Sequence, residues 1–171
     1  VAIDAGAHIG TWSIAMAERF TSVIAFEPFP ENYECLVRNI ENRRLKNITV
    51  HRLALGEKRQ AVGMAEDGKY AGGNTGGRYV SGEGDIPMVR LDDRVTLPSL
   101  GFFKLDLEGY EPFALRGARE TILQHRPVVM IEDKHRMVHR FGLPPHAACE
   151  FLHSLGMVEV DVIGADRIFA W

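Results

Sequence analysis

Cysteine is scarce in this chain, with only Cys35 and Cys149 among 171 residues. The two make neither a C-x-x-C pair nor a metal-ligand cluster with nearby histidines, so neither a disulfide framework nor a cysteine-built zinc site is expected. Both fall on stretches of helical pattern and are expected as buried free thiols. Neither sign of charge dominates: 20 Lys and Arg stand against 23 Asp and Glu, for a formal charge of -3. No basic excess exists to displace counterions, so nucleic acid is not an expected partner. Long apolar runs are also missing. Stretches such as Pro127 to Ile131 fall far short of the roughly 20 residues that cross a bilayer, and no signal peptide opens the chain. A soluble, cytoplasmic protein with no membrane partner is expected. The first residue is Val1 rather than methionine, already in strand pattern, which leaves open a missing N-terminal segment.

What is present is a chain of one-domain length with 46% hydrophobic residues, enough to bury roughly 70% of the surface its unfolded form exposes. Strand-like runs alternate with helical patterns from end to end, the mark of a parallel sheet covered by helices. The pattern predicts strand over Val1 to Asp4, helix over Gly10 to Phe20, strand over Ser22 to Glu27 and helix over Pro30 to Asn42, the last with proline in its first turn. Asn47 to Leu53 reads as a third strand. The alternation then breaks at Gly56 to Gly84, a loop with a short strand at Ala61 to Ala65. Beyond it come an extended piece at Ile86 to Val89, strand Phe102 to Asp106, helix Pro112 to His125, strand Val128 to Glu132 and helix Pro145 to Leu155. Met157 to Val162 and Arg167 to Trp171 are separated by only Ile163-Gly164-Ala165-Asp166, too short for a parallel crossover, so they form an antiparallel pair. The expected architecture is an α/β fold whose parallel sheet closes on a hairpin. There is no internal repeat and no interdomain linker.

Asp4-Ala5-Gly6-Ala7-His8-Ile9-Gly10 joins the first strand to the first helix. Gly6 and Gly10 let a ligand approach the main chain closely, and unpaired N-H groups at the turn, with the Thr11 hydroxyl beside them, suit an anionic group. The second strand ends on Glu27, about 20 residues beyond the turn, where a carboxylate accepts hydrogen bonds from ribose hydroxyls. A nucleoside-containing ligand follows. A dinucleotide fingerprint is incomplete because His8 stands where a second glycine is needed, and Asp4 would repel a pyrophosphate. Beside an ammonium group Asp4 is favourable. S-adenosyl-L-methionine carries such an ammonium, a carboxylate for the turn and an adenosine for Glu27.

The segments VAIDAGAHIGTWSIA, AFEPFPENYECLVRNIE, ITVHRLALGE, VRLDD and FFKLDLEGYEPFALRGARETILQHRPVVMIE, in this order, resemble the FkbM family of S-adenosylmethionine-dependent methyltransferases. The likeness runs from about Val1 to Asp133, and its most specific piece is Lys104 to Gly109 followed by Glu111 and Arg116-Gly117-Ala118. It implies a Rossmann-like class I methyltransferase fold with seven strands, helices on both faces, and transfer to a hydroxyl of a sugar, polyketide or similar metabolite. The family commonly has asparagine where this chain has His8. The resemblance also places an adenine-contacting turn at Ala54-Leu55. Pro28-Phe29 either flanks the adenine or, for Phe29, packs on the helix over Pro30 to Asn42.

Lys104, Asp106, Glu108 and Glu111 concentrate charge at a strand end, either as an active-site edge or as a structural ion pair of Lys104 with one acid. Glu132-Asp133 ends the next strand and is expected near Asp106, so three carboxylates converge; no metal is assigned. Methyl transfer to a hydroxyl needs a group to take its proton. Asp106 is the candidate, with Glu108 and His135 as competitors, His135 because its unperturbed pKa near 6.5 suits proton transfer. His135, Arg136, His139 and Arg140 form a charged loop. His51, His125, His146 and His153 are assigned no chemistry. The Gly68 to Gly84 loop, with Asn74-Thr75, either closes over substrate or is plain surface. The expected function is O-methylation of a hydroxyl-bearing small molecule, with N-methylation open and the oligomeric state unassigned. The rivals are a noncatalytic nucleoside-binding module and a nicotinamide-dependent oxidoreductase.

Overall fold

The computed structural model describes residues 1–66 and 76–171, apart from the His135 side chain. β1 (Ala2–Ala5) leads through a turn into α1 (Thr11–Ala17), then β2 (Val23–Phe26), α2 (Pro30–Asn42) and β3 (Ile48–His51). β4 (Ala54–Leu55), β5 (Gln60–Val62), β6 (Met64–Glu66), β7 (Arg78–Val80) and β8 (Ile86–Val89) follow, with α3 (Leu91–Arg94) after them. The second half runs β9 (Phe102–Leu105), α4 (Glu111–Arg116), α5 (Arg119–His125), β10 (Val128–Glu132), α6 (His135–Val138), a 3-10 turn at His139–Phe141, α7 (Ala147–Ser154), β11 (Val158–Ile163) and β12 (Asp166–Ala170).

The seven-stranded sheet has the order β11-β12-β10-β9-β1-β2-β3. From β3 to β10 the strands are parallel, and β12 inserts antiparallel between β10 and β11. The two-residue link between β11 and β12 places Gly164 in the left-handed region at φ 66°, which a side chain would resist. Alternation along the strands supplies both helical layers. Ile3, Ala5, Phe103, Leu105, Val129, Ile131 and Phe169 pack with Leu115, Ala118, Ile122 and Leu152 of α4, α5 and α7. Ala2 and Val23 pack on Met16 of α1, and Ala25 on Leu36 and Ile40 of α2. Apart from the alanines, each of these side chains contributes roughly 1.5 to 3 kcal/mol when fully buried. No helix among the described residues is long and apolar enough to cross a membrane.

The excursion between β3 and α3 builds its own layer. β4, β8 and β5 form a three-stranded sheet, and β6 pairs with β7 as a two-stranded ribbon. The single strand expected at Ala61 to Ala65 is two, split at Gly63, where a side chain would meet the Ser81 and Glu83 carbonyls. Asn74-Thr75 lies outside the described residues.

Four other expectations need correction. The helix over Pro112 to His125 is broken after Arg116, because Gly117 packs on the Gly56 backbone and gives its carbonyl to Asp92 N-H. Asp92 then serves as a cap supplied from outside the helix, its carboxylate accepting from Glu120 N, Thr121 N and Thr121 Oγ. The charged segment at His135 to Arg140 is a helical turn rather than a loop. The last helix begins at Ala147, because His146 precedes it in the left-handed conformation at φ 61°. Finally, Cys149 is buried but Cys35 is exposed on the outer face of α2. Gly117→Ala should cost about 1 to 3 kcal/mol of stability through overpacking against backbone that cannot retreat, measurable as a lower urea midpoint at unchanged slope.

Candidate active site

A cleft opens at the C-terminal ends of β1, β2 and β9, the edge of a parallel sheet where ligands gather. Gly6, His8, Glu27, Pro28, Ala54, Leu55, Asp106 and Glu108 line it, so the structure gathers eight of the residues singled out in the sequence around one space. Asn32, Leu53, Met64, Gly76, Arg78, Val80, Leu107 and Tyr110 join them.

Glu27 is nearly buried, at 5% exposure. Its Oε2 accepts from His8 N at 2.8 Å and its Oε1 from Phe29 N at 2.9 Å. Burial raises its pKa, while these N-H groups and Asn32 pull the other way. A carboxylate has about four acceptor positions, so capacity remains toward the cleft. His8 sits in the left-handed region at φ 52°, and burial lowers its pKa.

The β1–α1 turn is built differently from its sequence-level expectation. Its N-H groups do not wait for an anion: Gly6 N and Ala7 N both donate to Phe26 O, and Gly10 N donates to Ala7 O. Gly6, at φ 78°, lies so close to Asp106 that a Cβ would overlap the Asp106 carbonyl. Gly10 leaves room for Leu36 of α2 instead of a ligand, and Thr11 is exposed away from the cleft. Asp4 is fully buried and does not line the cleft. Its Oδ2 accepts from Ser13 Oγ at 2.6 Å and its Oδ1 lies 3.5 Å from Lys104 Nζ, so it sets its charge against that of a buried lysine. Phe29 is not among the residues lining the cleft; its ring lies under the Arg78 guanidinium, 3.5 Å from centroid to carbon.

On the opposite wall the β9–α4 turn carries Asp106 and Glu108. Glu108 and Gly109 both take positive φ, 54° and 97°. Glu111 holds this turn from inside: 1% exposed, it accepts from Leu107 N at 2.6 Å and receives further N-H bonds from Gly109 and its own backbone. Burial pushes it up to about 7.

Asp106, Glu108 and Glu132 bring carboxylate oxygens within 4.8 Å of one another. Lys134 Nζ stands among them, 2.7 Å from Glu132 Oε2 and 3.3 Å from Glu108 Oε1. Its ammonium thus supplies positive charge to the group. Burial works against that charge, but Glu132 and Glu108 outweigh it and hold Lys134 above the usual lysine value. Burial, then the charge of Asp106, pushes Glu132 up to about 8, and burial also raises Glu108. Lys104 Nζ lies 3.5 Å from Asp106 Oδ2 as well as from Asp4, so the structural ion pair and the active-site edge are both present.

Asp133 does not join the acids. Strand alternation turns it to the other side, where its Oδ2 meets His146 Nδ1 at 2.5 Å and Arg167 Nε at 2.8 Å, with Cys149 Sγ at 3.5 Å. His146 thus has a structural partner that the sequence did not indicate. The His135 side chain lies outside the described residues; its backbone starts α6. Sequence reasoning missed Arg78, Met64 and Tyr110, which reach the cleft through the inserted ribbon and a turn and carry no local motif.

Residues 4–158 match the methyltransferase FkbM domain family. The chain belongs to this family. A curated relative, Methyltransferase 1 of Beauveria bassiana, is 25% identical over an alignment covering 67% of this chain and 57% of that protein. The crystal structure of methyltransferase FkbM from Methylobacillus flagellatus matches 99% of this chain and 43% of its own, at a TM-score of 0.69 and 22% identity. The FkbM domain described here thus spans little more than half the length of the first protein and less than half of the second. A Streptococcus mutans structure solved in complex with SAH matches 99% of this chain and 88% of its own, with TM-score 0.58 and 11% identity. The fold is that of the class I methyltransferases.

The titration of Glu111 gives a pH-dependent test. Its folded pKa lies above its unfolded value, so the stability from its protonated form is complete below about pH 4.5 and is lost as pH rises through about 7. Glu111→Gln removes that loss, and urea midpoints should show the variant gaining about 2 kcal/mol on wild type between pH 5 and pH 8.

Proposed function

We propose that this FkbM domain transfers a methyl group from S-adenosyl-L-methionine to a hydroxyl of a small metabolite, and that the cleft at the ends of β1, β2 and β9 is where it does so. The observation that carries this is the position of Glu27: a nearly buried carboxylate with unused acceptor capacity in the wall of an otherwise largely apolar cleft. Such a group needs O-H or N-H donors from a ligand, and ribose hydroxyls are donors of that kind. Leu53, Ala54, Leu55 and Met64 offer apolar walls for a purine, and Gly6 leaves the turn open beside them. When bound, the cofactor supplies a sulfonium-activated methyl group.

The chain's own part is to hold the acceptor and to take its proton. Asp106 is 37% exposed at the rim and hydrogen-bonds Glu132. Burial and the charge of Asp106 push Glu132 up to about 8, and Asp106, the more exposed of the two, is the group placed to take the acceptor's proton. Lys104 and Lys134 keep the pair from accumulating negative charge.

Calorimetry with S-adenosyl-L-methionine and its demethylated product, followed by a transfer assay on hydroxylated sugars and polyketides, tests the proposal. Glu27→Ala should weaken cofactor binding by about 1 to 3 kcal/mol. Asp106→Asn should leave cofactor affinity nearly unchanged and lower kcat by roughly 100-fold or more. Binding without turnover on a broad panel would support the noncatalytic module instead, and absent binding would remove the cofactor assignment.

A further inference from the structure

Arg78 opens β7 and stands opposite Glu66 in the β6–β7 ribbon. Its Nε and Nη2 both donate to Glu66 Oε1, at 2.8 and 2.6 Å, and its guanidinium carbon lies 3.5 Å over the Phe29 ring. These contacts hold the plane of the guanidinium in one orientation, because an ion pair fixes one edge and an aromatic face supports it from below. The side chain is 13% exposed and lines the cleft. The third nitrogen, Nη1, is buried and has no hydrogen-bond partner among the described residues.

A buried charged donor without an acceptor is unfavourable, and native proteins seldom keep one without a use. The missing partner must offer a hydrogen-bond acceptor at the contacting atom, since a guanidinium cannot accept. Glu66 already sets one negative charge against the guanidinium, and Met64, Val80, Leu53 and Ala54 give the cleft apolar walls that suit a flat aromatic ring. The ring nitrogens of a purine meet both conditions. Ribose hydroxyls are already matched by Glu27, which accepts what they donate.

Resting on the donor assignment above, we propose that Arg78 is a base-recognising residue whose Nη1 donates a hydrogen bond to an adenine ring nitrogen of the cofactor, with Glu66 and Phe29 as its positioning residues. The inserted ribbon is thereby part of the donor site, not only a cover for the acceptor.

The test compares wild type, Arg78→Ala and Arg78→Lys by calorimetry. The probes are S-adenosylhomocysteine, its 1-deaza, 3-deaza and 7-deaza analogues, and methylthioadenosine, which lacks the amino acid end. In wild type one deaza analogue should bind roughly 10- to 100-fold more weakly than S-adenosylhomocysteine. Arg78→Ala should bind S-adenosylhomocysteine and methylthioadenosine with the same loss and no longer distinguish that analogue. Arg78→Lys, which keeps the charge without the planar fork, should also lose the discrimination and serves if the alanine variant does not fold. Equal affinity of wild type for all three analogues, or unchanged affinity in the variants, overturns the proposal. A loss confined to S-adenosylhomocysteine and absent with methylthioadenosine overturns it in favour of a carboxylate contact. No binding of S-adenosylhomocysteine to wild type would strike the donor assignment itself, a result distinct from either.

Discussion

Backbone contact between Gly6 and Asp106 is the constraint on which the rest of this site depends. β1 and β9 are neighbours in register, with Ala5 opposite Leu105, so the turns that leave them emerge side by side. The two turns can pack only because Gly6 has no side chain and accepts φ 78°. The consequence is a site in which the residues after β1 and those after β9 form two walls of one cleft. β2 supplies the third wall, and its Phe26 carbonyl takes both Gly6 N-H and Ala7 N-H to fix the first turn against it. The binding side chains are thus set by main-chain bonds, which deform far less than side chains do.

Charge is distributed to match this frame. Asp4, Lys104 and Asp106 form a line from the buried face of the sheet to the rim, with Ser13 of α1 satisfying the deepest carboxylate. Lys104 is 3% exposed, and a buried ammonium survives only with acids on hand. At the rim Asp106, Glu132, Glu108 and Lys134 lie together, and burial raises Glu108 and pushes Glu132 up to about 8. On the other side of β10, Asp133 ties His146 and Arg167 into a separate structural group. Adjacent residues of one strand therefore serve two different purposes, because alternation sends their side chains to opposite faces.

The insertion between β3 and α3 completes what the sheet leaves open. β4 contributes Ala54 and Leu55 and the ribbon contributes Met64, Arg78 and Val80, all to one cleft. The Phe29 ring, at the start of α2, becomes a support for Arg78 rather than a wall of the cleft. Tyr110 stacks on Phe113 with ring centroids 4.6 Å apart and meets Phe141 edge-on, which anchors the β9–α4 turn to the 3-10 turn after α6. These aromatic contacts fasten the acidic rim to the rest of the fold.

Family resemblance alone pointed to Ala54 and Leu55, whereas the amino-acid sequence by itself determined the order of strands and helices, the closing hairpin and the choice of Gly6, Glu27 and Asp106, which meet at the cleft. Those features depend on periodicity, turn chemistry and short motifs, all of which act between residues close in the chain. Only the tertiary structure decided that Asp4 is paired with Lys104 and Ser13, that the N-H groups of the first turn are spent on Phe26, and that Gly10 makes room for Leu36. It also decided the break at Gly117, the cap that Asp92 lends to α5, and the arrival of Arg78 at the cleft. Each of these results from a contact between segments distant in sequence, where an unpaired donor, a buried charge or a missing Cβ finds its counterpart only after the chain has packed. Local pattern says which groups need a partner; packing chooses which partner they receive.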